Sequence, residues 1–113
     1  MAATPLQAET LLGIEDFSIF PHLPAYQHRQ FPEIPAIYIA FDPPGDVLYI
    51  GRAQSLRKRW RGSYTHPWLK VVCKIQVAWF HVDVEHQPAL EKLLIEHYRP
   101  LGNICHNRKR KGS

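Results

Sequence analysis

A chain of 113 residues with 45% hydrophobic and 12% aromatic residues holds enough apolar material for one domain with a modest core, which excludes both a disordered tail and a pair of domains. No run approaches the roughly 18 consecutive apolar residues of a membrane span, and the first twenty residues lack a basic start followed by an apolar stretch, so a soluble, cytoplasmic protein is expected. The formal net charge of +4 is unevenly placed: Arg108, Lys109, Arg110 and Lys111 form a terminal run, and setting them aside leaves ten basic residues against ten acids.

Residues 1–33 are read as an N-terminal extension interrupted by proline (Pro5, Pro21, Pro24, Pro32) and packed over the domain, with no chemistry of its own. From Ala36 the pattern sharpens. "AIYIAF" (36–41) and "VLYIG" (47–51) flank Asp42-Pro43-Pro44-Gly45, which predicts an antiparallel hairpin with a four-residue connection. If Phe41 faces Asp46, Tyr38 pairs with Tyr49 and Ala40 with Val47. Ile37, Ile39, Phe41, Leu48 and Ile50 then share one apolar face, and the two tyrosines lie among small residues on the other. Such a pair either stabilises the hairpin alone or leaves room for a ligand to approach.

A helix is predicted after Gly51, with Ser55 as N-cap and Leu56 and Trp60 on its buried side. At about 100° per residue, Arg57, Lys58 and Arg61 turn outward, whereas Arg59 lies about 60° from Leu56 and is placed to reach back over the sheet. Residues 63–73 are ambiguous, and "KIQVAWFHVDV" (74–84) reads as a third strand. "QPALEKLLIEHYRP" predicts a helix opened near Pro88 and closed before Pro100, with Leu90, Leu93, Leu94, Ile95, His97 and Tyr98 in one arc. Glu91 falls inside that arc, so it either binds a metal or pairs with an arginine at the core edge. Cys73 and Cys105 are too few for a disulfide framework, and with His97 and His106 they match no zinc spacing.

No acid occurs between Asp46 and Asp83, while Arg52, Arg57, Lys58, Arg59, Arg61, Lys70 and Lys74 all fall there. That asymmetry suits either a surface facing a polyanion or a solvated helix face.

"AIY" at 36–38, "YIG" at 49–51, "RAQSLRKRW" at 52–60 and "ALEKLLIEHYRPLGN" at 89–103 together resemble the GIY-YIG nuclease domain over residues 34–105. The resemblance implies an α/β (α+β) fold with a small three-stranded antiparallel sheet flanked by helices. It also implies domain bounds of 34–106, followed by a basic tail at 107–113. It implies catalytic roles for Tyr38, Tyr49, Arg59, Glu91 and Asn103, with Tyr49 as general base and Glu91 holding one Mg²⁺ or Mn²⁺. Arg52, Arg57, Lys58, Arg61 and His66 are the expected DNA-binding positions. Ala36 stands where the family motif has its first glycine, and no catalytic atom is lost by that change.

The expected function is a metal-dependent endonuclease acting on DNA, with branched and damaged DNA among the candidate substrates; any specificity comes from a protein partner, the N-terminal extension or the RKRK tail. The alternatives are a nucleic-acid-binding module of the same fold with weak or no catalysis, and a partner-binding protein whose cations form only a solvated face.

Overall fold

The alternating residues 36–42 and 46–53 form the hairpin that organises the molecule, a computed structural model that describes residues 16–42, 46–61, 74–100 and 102–103. The strands are β1 (His22–Pro24), β2 (Ala36–Asp42), β3 (Asp46–Ala53) and β4 (Gln76–His81). All neighbours are antiparallel, in the order β1-β4-β2-β3. Two α-helices, α1 (Leu56–Arg61) and α2 (Gln87–Tyr98), and short 3₁₀ turns at Phe17–Ile19, Ala25–Gln30 and Val84–His86 complete the described residues.

The sheet has four strands where three were expected. The fourth, β1, comes from the segment expected to overlie the domain: His22, Leu23 and Pro24 pair with Ala78, Val77 and Gln76. Proline is tolerated there because the strand lies at the sheet border. Phe17, Ala25 and Phe31 are at most 1% exposed, so residues 17–31 are part of the core rather than a cover over it.

The hairpin register also differs from expectation. Asp42 pairs with Asp46, which shortens the connection by one residue, and a bulge between Ala40 and Phe41 leaves Leu48 as an extra residue. The two one-residue offsets add, so Tyr38 faces Gly51 and Ala40 faces Tyr49. Because side chains alternate with a period of two, an offset of two keeps Tyr49, Ile50 and Gly51 on their expected faces. Only the bulge-proximal pair exchanges: Leu48 packs with the Tyr38 core and Val47 with the Ile37 core.

The sheet therefore buries both faces. On one, α1 and the Ala25–Gln30 turn bring Leu56, Trp60 and Phe31 against Tyr38 and Trp79. On the other, α2 and Phe17 cover Ile37, Ile39, Ile50 and Phe80. Leu94 is buried on α2, whereas Leu93 is 45% exposed and His97 is also exposed, which narrows the expected apolar arc. Helix α2 has proline in its first turn and ends at Arg99, a left-handed C-cap with φ 48° whose N–H donates to Ile95 O.

The entry to α1 differs as well. Ser55 O accepts from Arg59 N, as an N-cap carbonyl does, yet its buried Oγ makes no hydrogen bond. The first amides are satisfied from the preceding segment instead: Leu56 N donates to Ile34 O and Arg57 N to Pro32 O.

Candidate active site

Tyr38 and Tyr49 project from the same face of the hairpin, diagonal to each other, with ring centroids 6.2 Å apart. Tyr38 is fully buried and Tyr49 is 7% exposed. Trp60 of α1 meets the Tyr38 ring edge-on at 5.5 Å, fixing its plane. The space beside Tyr38 exists because Gly51 has no side chain: a Cβ there would overlap Tyr38 Cζ and Oη. The small residues expected to admit a ligand instead admit the tyrosine ring itself.

Arg59 reaches back from α1, as its helical position predicts, and hydrogen-bonds both phenols. Burial works against its charge, and the neighbouring Tyr38 and then Tyr49 more than offset that, so its pKa is raised. The residue as a whole remains exposed on its outer side, so this electrostatic coupling is partly screened. Tyr38 is pushed well above the ordinary phenol range, first by burial and then by Tyr49 and Glu91, with Arg59 pulling the other way. It remains a neutral phenol across the physiological range.

The opposite wall of the cleft is Glu91 on α2, whose Oε1 lies 3.2 Å from Arg52 Nε, the pairing foreseen as one of its two readings. The carboxylate side chain is 22% exposed. Arg52, Ala53, Gln54, Ser55, Lys58, Arg59 and Glu91 line an open cleft of about 800 Å³. Three cations and one carboxylate make this surface strongly anion-attracting.

Asn103 is 5% exposed and clamps the backbone directly after Tyr49: Ile50 N donates to its Oδ1 at 2.7 Å, and its Nδ2 donates to Ile50 O at 2.8 Å. Because β3 borders the sheet, these two Ile50 groups face away from β2, and the side-chain amide replaces a neighbouring strand.

Of the expected DNA-binding cations, Lys58 lines the cleft and Arg61 is exposed, whereas Arg57, with its side chain 42% exposed, is held by partners of its own. Its Nε donates to Phe31 O at 2.7 Å and its Nη1 meets Glu33 at 3.2 Å, tying α1 to the segment that caps it. His66, Lys70, both cysteines, His106 and the 107–113 tail lie outside the described residues. Among the described residues no group of three or more metal-ligating side chains occurs, and no helix is long and apolar enough to cross a membrane.

Sequence reasoning passed over Gln87. It is 2% exposed, and its Nε2 donates to Ala53 O and Val82 O, each at 2.9 Å. A glutamine one turn before Glu91, on the buried side of a helix, was the available signal.

No family model matches the chain. Among curated proteins it is similar to the UvrABC system protein C of Dictyoglomus thermophilum, 35% identical over 81 residues, covering 67% of this chain and 14% of that protein. The protein of the same description from Photobacterium profundum is 33% identical over 78 residues, covering 62% of this chain and 12% of the relative. The chain thus spans a small fraction of the length of the curated relatives it matches. Among solved structures it resembles the GIY-YIG N-terminal endonuclease domain of UvrC from Thermotoga maritima, in two point mutants each bound to the catalytic divalent cation. Both superpose with a TM-score of 0.54 and 30% identity, over 66% of this chain and 87% of the solved domain. A paired tyrosine hairpin, an arginine reaching both phenols and a helix carboxylate across the cleft agree with that likeness, and the chain belongs to the GIY-YIG nuclease domain family.

Proposed function

We propose that the protein is a metal-dependent endonuclease that hydrolyses phosphodiester bonds in DNA, including the damaged or branched DNA met in excision repair. The observation that carries this reading is that Arg59, which hydrogen-bonds both tyrosines, shares one basic cleft with Glu91. Tyr38 keeps its proton, so the base role is assigned to Tyr49, which acts as a phenolate after releasing its own proton to solvent. A guanidinium beside a phenol favours the ionised form, so Arg59 assists Tyr49 Oη in taking the proton of an attacking water. Arg59 and Arg52 also stabilise the charge that grows on the phosphate oxygens, and Lys58 holds the flanking backbone.

The donor set suits a hard divalent ion. Glu91 offers a carboxylate oxygen at the border of an open cleft, and Mg²⁺ or Mn²⁺ retains several waters when protein ligands are few. Glu91 would hold the ion after releasing Arg52. When bound, the ion supplies Lewis-acid stabilisation of the phosphate and leaving-group oxygens.

The ion pair between Arg52 and Glu91 favours a second reading, a DNA-binding module in which the carboxylate serves structure only. Supercoiled plasmid incubated with the protein in Mg²⁺, and separately in EDTA, distinguishes them. Nicking that needs the metal and disappears in Glu91→Ala and Tyr49→Phe is expected. Binding without nicking in any divalent metal sinks the enzymatic reading. Target choice is assigned to a separate protein partner, tested by comparing flapped, branched and plain duplexes with and without a lysate fraction.

A further inference from the structure

We propose that Gln87 is a positioning residue for the cleft carboxylate, setting the distance of Glu91 from β3 and thereby its affinity for a divalent ion. This inference rests on the reading of the cleft as a metal-dependent site. Both hydrogens of the Gln87 amide nitrogen are committed, one to Ala53 O at the end of β3 and one to Val82 O just beyond β4. Those strands flank β2, and Ala36 lies between them, paired with Ala53 on one side and His81 on the other. A single side chain therefore ties the end of β3 to the residue that follows β4, across β2, at the end of the sheet beside the cleft.

The brace is coupled to the site at both ends. Ala53 directly follows Arg52 and itself lines the cleft, while Gln87 lies one helical turn before Glu91 on the same side of α2. Moving the amide moves Glu91 relative to Arg52 and to Tyr49, both on β3. An apolar residue of equal length would leave both carbonyls without this donor, and a glutamate would set a carboxylate against them.

The test is Mn²⁺ binding to the full chain, followed by the paramagnetic signal of the free ion, in wild type, Gln87→Met, Glu91→Ala and the remote core variant Val77→Ala. Gln87→Met is expected to weaken Mn²⁺ binding by about tenfold, the lower end of the loss seen when a supporting partner of a metal ligand is removed. Duplex DNA affinity in EDTA should stay within twofold. If Gln87→Met fails to fold, Gln87→Asn, which keeps the amide but shortens its reach, takes its place and should show a smaller loss in the same direction. Mn²⁺ affinity unchanged in the folded Gln87 variant, or lowered equally by Val77→Ala, overturns the proposal. A wild type that binds Mn²⁺ through Glu91 but nicks no DNA, with the Gln87 loss intact, would remove the nuclease reading and leave this one standing.

Discussion

Tyr38 closes over the α-carbon of Gly51, so the glycine that ends the YIG motif is the receptacle for the tyrosine that begins the hairpin. Gly51→Ala must push the phenol away from Arg59 or spread the strands. The expected cost is about 1–3 kcal/mol, as for overfilling a packed site, measured by urea denaturation. Nicking should fall more than the folded fraction does, because the displaced ring is a hydrogen-bond partner of Arg59, which lines the cleft. Full activity in a stable Gly51→Ala protein would show that Tyr38 need not hold this position.

Tyr38 also sets a pH limit. Its pKa is raised in the folded state, so the native protein holds this proton more tightly than the unfolded chain. Stability is then fully present below the ordinary phenol range and declines as pH rises through that range toward the folded-state value. Thermal denaturation from pH 8.5 to 11.5 should show this decline in wild type. In Tyr38→Phe, which has no proton to lose, the slope should flatten, and an unchanged slope would contradict the assignment.

The Asn103 clamp requires a donor and an acceptor on one planar group. Asn103→Asp keeps the acceptor for Ile50 N but sets a carboxylate oxygen against Ile50 O, and Asn103→Ala loses both bonds. Each buried backbone group left without a partner costs about 1–3 kcal/mol, so both variants should be clearly destabilised. Slowed hydrogen exchange at the Ile50 amide, lost in Asn103→Ala but not in Glu91→Ala, is the direct measurement.

Two adjacent cations should separate cleanly. Lys58→Ala is expected to weaken DNA binding and reduce the slope of log affinity against log salt by about one. Arg57→Ala should leave that slope unchanged and lower stability by about 1 kcal/mol, since its bonds run to Phe31 O and a half-exposed Glu33. A salt slope altered equally by both would return Arg57 to the DNA-facing surface.

That contrast shows where the sequence was legible. The positions of Tyr38, Tyr49, Arg59 and Glu91 followed from strand and helix periodicity, which depends only on neighbours along the chain. The ties of Arg57 were not foreseen because its partners, Phe31 and Glu33, lie in a proline-rich segment whose path no periodicity describes. Ser55 was misread for the same reason: the residues that satisfy the first turn of α1 are Pro32 and Ile34, not the local hydroxyl.

The hairpin carries the other half of that lesson. Loop composition gave a turn but not its length, and Leu48 has no residue-level feature that marks it as bulged. The faces survived because the two offsets sum to an even number. Gln87 and Asn103 went unread as clamps because the carbonyls and amide they satisfy are backbone groups, which are the same in every residue.

The pairing of β1 with β4 joins residues 22–24 to 76–78, a separation that dictates an order of assembly. During synthesis the β2–β3 hairpin can close from neighbouring residues, and β4 can dock on β2 once residue 81 has emerged. β1 therefore stays unpaired while more than fifty further residues are made. Until then Phe17, Ala25 and Phe31 have no completed core to enter, so these residues stay exposed through that interval.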